Sequence, residues 1–350
     1  FQGGHMSVSR QLVKELISDL PLATVSYAFA YGSGAVSQMG ENMADKMVDI
    51  IVCTRDPQAF HEENRRLNSS HYSCVSRLGT NTLVKLQDTA ARMYYNTNVR
   101  TKAGRLIKYG IISEEALKDD LFDWRWLYAA GRLHKPVVNV ISPPAEYEEW
   151  IKQNRLYALQ AALLVLPDTF SFPALFESIV RLSYAGDFRM LIGEDRAKIY
   201  KIASGNAEQL EATYLPLLKE DTRVSIANGT VLQDASTTAI YHRLNQLPSE
   251  VVNRLLRKWN RQHKSMVDAE EMLFALARRH DVTVHLEGVF SSIVRDSSLT
   301  QSMKNALTAG LAKSTVYSTA KLTKWITSMR AEKRKRREEE SKLNEKKEGE

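Results

Sequence analysis

Ser26–Arg55 reads SYAFAYGSGAVSQMGENMADKMVDIIVCTR: an apolar strand, a tight turn, a polar excursion and a second apolar strand. Tyr27, Ala28, Phe29 and Ala30 form the first strand, Gly32, Ser33 and Gly34 the turn, and Met47–Cys53 the second strand, in which Asp49 is the one charge. A lone carboxylate in a short buried strand costs several kcal/mol unless it is paired or binds a metal. The turn beside it points to the partner. Glycines let backbone approach an anion closely, and the amides of such turns favour phosphate. An acid that holds Mg²⁺ beside a loop that holds phosphate is the layout of nucleotidyl transfer. Two plainer readings stand beside it: a Gly-Ser-Gly after a strand can be only a turn, and a mid-strand Asp can pair with a buried Arg.

Val8–Leu20 has helical apolar spacing and Pro21 ends it. Asp56-Pro57 opens another helix, Asp as the N-cap and Pro in the first turn. The pattern predicts a helix over Thr80–Met93, strands over Tyr94–Val99 and Arg105–Ile112, helices over Glu114–Asp123 and Trp124–Leu133, and a strand over Val137–Ile141. Lys108 sits inside the apolar strand GRLIKYGIIS, where it is an edge lysine, a salt-bridge partner or a phosphate ligand. Pro143-Pro144 reads as a domain boundary, so the first half is an α/β or α+β domain around one sheet.

Beyond Pro144 helical spacing dominates, with short β-like pieces at Val224–Leu232 and Val282–His285. Ser183–Asp195, SYAGDFRMLIGED, places Asp187 and Arg189 two apart, on one side of an extended segment, as an ion pair or a shared ligand. Glu194 and Asp195 read as caps of the next helix. Arg295–Lys304 reads as a surface loop or an anion site.

A chain of 350 residues has room for two domains and a large core. Two cysteines, Cys53 and Cys74, exclude a disulfide framework and a zinc cage and suit a reducing compartment. No apolar run reaches the length of a membrane span. Phe1–Met6 read as a protease-cleavage scar. The net charge of +7 calls for an anionic partner: nucleotide, nucleic acid or acidic lipid. On a helix over Leu307–Met329, Leu322, Trp325, Ile326 and Met329 share an apolar side, with Lys324 opposite and Lys321 on the flank. That is the pattern of a helix lying on an anionic membrane, with packing on its own domain as the alternative. Arg330–Glu350 is a mixed charge run.

YGSG at 31–34, MVDIIV at 47–52, SHYS at 70–73, GRLIKYG at 104–110, AGRLHKPV at 130–137, SYAGDFRMLIGED at 183–195 and SSIVR at 291–295, in that order, resemble the mitochondrial CDP-diacylglycerol synthase family. These are phosphatidate cytidylyltransferases, also called mitochondrial translocator assembly and maintenance proteins. The resemblance runs from about Ser26 to Lys304. It implies a nucleotidyltransferase-fold domain over 7–144, a mostly helical winged-helix-like domain over 145–304, and an amphipathic membrane-binding helix with charged tail over 305–350. It implies a peripheral enzyme on the matrix side of the mitochondrial inner membrane that makes CDP-diacylglycerol and pyrophosphate from CTP and phosphatidate with Mg²⁺, feeding cardiolipin synthesis. The partners it implies are CTP, phosphatidate and an anionic membrane surface, with no nucleic acid; an oligomer is compatible with it.

By the same resemblance Asp49 holds the metal, Gly32 and Ser33 seat phosphates, Lys108 neutralises them, and Asp187 and Arg189 contact nucleotide or metal from the second half. Many nucleotidyltransferases carry a second acid two residues after the first, and here that position is Ile51. Asp56 or an acid from 187–195 takes its place, or one metal suffices. Two rivals complete the expectations. A nucleotidyltransferase acting on RNA would place a basic stripe with interleaved aromatics at the site, and a non-catalytic membrane-associated assembly factor would need neither Asp49 nor Lys108.

Overall fold

β1 (Val25–Tyr31) and β2 (Val48–Thr54) pair antiparallel, with Tyr31 opposite Asp49. They belong to a computed structural model that describes residues 15–35, 47–192, 197–264 and 266–309. β3 (Met93–Arg100), β4 (Leu106–Ser113) and β5 (Val138–Ile141) complete a mixed sheet in the order β3-β4-β2-β1-β5. β2 and β4 run parallel, so the chain must cross over between them, and it does so through the helices Pro57–Leu67 and Thr80–Gln87.

Strand alternation sorts the side chains into two cores. Ala28, Ala30, Val48, Ile50, Val52, Tyr109 and Ile111 point to the face covered by the crossover helices, with Phe60 and Leu83. Tyr27, Phe29, Ile51, Cys53 and Ile112 point to the other face, into a core shared with Leu159, Leu175, Tyr214 and Phe290 from beyond Pro144. The period of two puts Asp49 and Lys108 on this second face, toward the helical half.

That half is built on the helix Ala145–Val165, packed against Phe172–Arg181, Ala207–Glu220, Thr237–Leu244 and the long helix Val282–Ala309. A small sheet, β6 (Thr169–Ser171), β8 (Thr230–Gln233) and β7 (Val224–Ala227), lies beside it. Its hairpin turns on Asn228-Gly229, both left-handed (φ +50° and +74°), as a two-residue turn requires. None of the described helices is long and apolar enough to cross a membrane.

Four sequence expectations change. The helix expected over Thr80–Met93 stops at Gln87, because Ala90 and Arg92 take left-handed φ of 53° and 49° and Met93 enters β3. The helix expected over Trp124–Leu133 shrinks to Ala130–Leu133, because Trp124 is a left-handed cap at φ 55°. Val282–His285 is helical, not strand; its β-branched residues open the long helix. Arg295–Lys304 is the same helix rather than a loop, with Ser297, Ser298, Gln301 and Lys304 buried. Cys74 is exposed, while Cys53 is buried. Most of the Val8–Leu20 helix, the excursion 36–46, Glu194, Asp195, and the membrane-facing set Lys321, Leu322, Lys324, Trp325, Ile326 and Met329 lie outside the described residues.

Candidate active site

β1 ends at Tyr31, and the chain leaves the sheet through Gly32 at φ +73°, where a side chain would be strained. A Cβ on Gly32 would stand 3.9 Å from Asp49 Oδ2, and one on Gly34 would stand 2.3 Å from the Met47 carbonyl oxygen. The turn therefore lies directly on the start of β2, with glycine required at the close approach. Across the parallel ladder Asp49 is in register with Lys108, whose Nζ is 3.4 Å from Oδ1. The two side chains are 32% and 14% exposed, so the pair opens into a cavity rather than closing a core. Lys108 Nζ also stands 4.4 Å above the Tyr95 ring.

The cavity lies between the sheet and the helical half. Arg132, from the short helix Ala130–Leu133, lies 3.9 Å over the Tyr128 ring and 4.9 Å from the Tyr31 ring and donates to the Tyr128 carbonyl. Lys135 donates to Ser183 Oγ at 2.6 Å and sits 4.7 Å from the Tyr184 ring, with Lys198 at 5.3 Å from the same ring. Asp187 takes Arg189 Nε at 2.9 Å on Oδ1 and Nη2 at 2.5 Å on Oδ2, and the Arg189 amide at 3.0 Å. Ser297, Ser298 and Val294 close the wall from the long helix.

The lining thus brings five basic side chains (Lys108, Arg132, Lys135, Arg189, Lys198) against two acids (Asp49, Asp187); with the Lys135 amine left uncharged the formal surplus is 4 − 2 = +2. The field is visible in the titrating groups. Burial, then the charges of Arg132 and Lys198, hold the Lys135 amine well below its ordinary range. Burial pushes the Tyr128 phenol up, but Arg132, Arg189 and Lys108 together leave it below its usual value. A cavity so charged is built for a polyanion.

Among the described residues no three His, Cys, Asp or Glu side chains form a metal cage. Mg²⁺ does not require one: it uses one or two carboxylates and completes its octahedron with phosphate oxygens and water. The part-exposed Asp49 carboxylate beside the glycine turn fits that use. Asp187 does not, because both oxygens already receive Arg189; it holds the guanidinium. Asp56 is corrected. Its carboxylate accepts the Ala59 amide at 2.9 Å as the helix N-cap, beyond the far end of β2 and off the cavity wall. Ile51 is fully buried in the core.

Gly32, Ser33, Asp49, Lys108, Asp187 and Arg189 therefore do converge on one cavity, although the last two lie far from the others in sequence. Tyr128, Arg132, Lys135 and Lys198 were missed. Arg132 and Lys135 stand in the motif AGRLHKPV, but no spacing in it announces a cation turned inward.

Over residues 13–324 the chain matches the family model described as phosphatidate cytidylyltransferase, mitochondrial. The chain belongs to that family. Proteins named phosphatidate cytidylyltransferase, mitochondrial, from Caenorhabditis briggsae and Caenorhabditis elegans are 52% and 50% identical to it, each over 90% of this chain and 98% of the relative. The protein of that name from Homo sapiens is 35% identical over 89% of this chain and 70% of its own length. A solved nucleotidyltransferase-like protein from Exiguobacterium sibiricum aligns over 87% of this chain and 78% of its own, at 12% identity and a TM-score of 0.24, too slight a likeness to build on.

Proposed function

We propose that this cavity transfers the cytidylyl group of CTP to the phosphate of phosphatidate, giving CDP-diacylglycerol and pyrophosphate. The observation that carries the assignment is the Asp49–Lys108 register pair, set beside the Gly32 turn in a cavity with a surplus of positive charge. The family's activity, phosphatidate cytidylyltransferase, names the two substrates.

In the reaction an oxygen of the phosphatidate phosphate attacks the α-phosphorus of CTP; that O–P bond forms as the bond to the β-phosphate bridge oxygen breaks and pyrophosphate leaves. The nucleophile is anionic near neutral pH, so the chain needs no general base for it. Its work is to hold two anions together and balance the charge that moves to the leaving group. The Gly32–Ser33 turn offers backbone and hydroxyl donors to the β and γ phosphates. Lys108 neutralises charge beside them, and Arg189, held by Asp187, and Arg132 supply further fixed cations. Asp49 is the residue that would hold Mg²⁺, which when bound draws charge from the triphosphate oxygens. Leu127, Ile202 and Val294 add an apolar wall, which suits an acceptor phosphate carried on a glycerolipid.

The same reading makes the protein a peripheral enzyme of the mitochondrial inner membrane, on its matrix side, docked through residues 305–350 and supplying CDP-diacylglycerol for cardiolipin synthesis. The test is incubation of the purified chain with labelled CTP, Mg²⁺ and either phosphatidate liposomes or RNA. Labelled CDP-diacylglycerol from the liposomes alone is the expected result; label on RNA, or no turnover of either acceptor, defeats the assignment.

A further inference from the structure

Asp120 lies on the helix Glu114–Asp123, is 1% exposed and touches no wall of the cavity. Its carboxylate nevertheless gathers four backbone N–H groups from the segment that forms one wall. Oδ1 accepts the Trp126 amide at 2.9 Å, and Oδ2 accepts the amides of Tyr128, Ala129 and Ala130 at 2.9, 2.7 and 2.9 Å. Burial raises this carboxyl above its ordinary value, and the four donors pull against that.

These amides have no local acceptor. Ala129 holds the N-cap position of the helix Ala130–Leu133 and has no side-chain oxygen to offer. The loop before it is strained, with Trp124 at φ 55° and Leu127 at φ 49°, both non-glycine residues in the left-handed region. Such conformations persist only where the surroundings over-determine them; here Trp124 Nε1 donates to Asn154 Oδ1 at 2.8 Å, and the Asp120 carboxylate takes the amides on either side of Leu127. What the segment presents to the cavity is Tyr128 and Arg132, the guanidinium folded over the phenol ring and bonded to the Tyr128 carbonyl. Arg132 Nε is buried with no hydrogen-bond partner among the described residues.

We propose that Asp120 is a positioning residue for the phosphate site, holding Tyr128 and through it Arg132 where an anion meets them. The proposal rests on the reading of the cavity as the triphosphate and phosphate site. Asp120 touches no substrate; it sets the wall that does.

The experiment is a double-mutant cycle on the full chain, with CTP-Mg²⁺ binding read by calorimetry and melting followed in parallel. Arg132→Ala weakens CTP binding. Asp120→Asn keeps the volume but turns an acceptor into a donor facing amides; in the native background it weakens CTP binding by about 10- to 100-fold, as displaced positioning groups do, and raises the KM for CTP more than it lowers kcat. In the Arg132→Ala background the same change costs less than about twofold. Equal losses in both backgrounds make Asp120 merely structural and overturn the proposal, as does an unweakened Asp120→Asn. Unchanged CTP binding by Arg132→Ala itself sinks the phosphate-site reading, and the proposal with it. Should Asp120→Asn fail to fold, Asp120→Glu, which keeps the charge and lengthens the arm by one methylene, must show the same dependence on Arg132.

Discussion

Asp49 owes its position to two local constraints. Alternation along β2 turns it to the face of Ile51 and Cys53, and the parallel ladder sets Lys108 beside it. The pair is partly exposed, so a ligand in the cavity can reach it. Asp49→Asn keeps the shape and removes the charge that would hold Mg²⁺. Turnover should fall by at least ~10³-fold, the scale of several kcal/mol of lost charge stabilisation, while the melting midpoint stays near that of the native chain; a folded Asp49→Asn with native turnover would remove the metal assignment. Lys135 gives a second residue-scale prediction. Its amine is held well below the ordinary range by burial and by Arg132 and Lys198. A bound polyanion offsets those charges and lets the amine take a proton, so CTP binding is coupled to proton uptake and weakens as pH rises. Calorimetry in buffers of different ionisation enthalpy should show the uptake in the native chain and its loss in Lys135→Met. Identical proton linkage in the two would refute it.

The strands were legible because their alternation is strong: β1, β2, β3 and β4 fall within a residue or two of where apolar patterning puts them. So was the Asp56-Pro57 helix start, whose cap chemistry is local. What could not be read was set by distant partners. Trp124–Ala129 looks helical residue by residue and is held in a loop by Asp120. Val282–His285 looks like a strand and is helical because Val282 and Leu286 pack into the core. The site divides in the same way: Gly32, Ser33, Asp49 and Lys108 follow from strand and turn patterns, whereas Arg132 and Lys135 depend on which way a four-residue helix faces. At this scale the glycine turn is the weak point. Gly34→Ala puts a methyl against the Met47 carbonyl oxygen, and should cost about 1–3 kcal/mol of stability in urea denaturation. An unchanged midpoint would show that the turn is looser than described. The crossover helices are pinned by a buried polar network in which His61 bonds Tyr72 and Gln87 at 2.9 Å each, and Asn64 bonds Tyr72 and Tyr109. Burial lowers the His61 pKa from 6.5 to about 4. The unfolded chain therefore takes a proton below pH 6.5 that the folded chain refuses, so stability is full above that value and falls as pH drops toward 4, by about 3 kcal/mol for this group. Denaturation series at pH 7 and pH 4.5 check the fall; equal stability at the two values would contradict it.

Over the whole molecule the helical half does more than follow the sheet. One hydrophobic core runs from Phe29 and Ile51 to Leu175 and Phe290, and the cavity takes residues from both sides of Pro144. The long helix returns to the sheet edge. Gln301 brackets the Ala91 amide and the Met93 carbonyl, and Lys304 donates to the carbonyls of Gln87 and Thr89. The sheet edge at β3 is thus tied to the helix that leads toward the residues expected to bind membrane. Removing residues 310–350 leaves every cavity residue in place, so it should weaken liposome pelleting by about tenfold or more and leave CTP binding within about twofold. Equal pelleting by the shortened chain would refute a membrane role for those residues.

Where the label of CTP goes decides the function of the cavity. With CTP labelled at the α-phosphate, Mg²⁺ and phosphatidate liposomes, the native chain should move label into the lipid phase as CDP-diacylglycerol, one pyrophosphate released for each, and Asp49→Asn should move none. A native chain that leaves the label in water, or an Asp49→Asn chain that transfers it as fast as the native one, would contradict the assignment of this cavity.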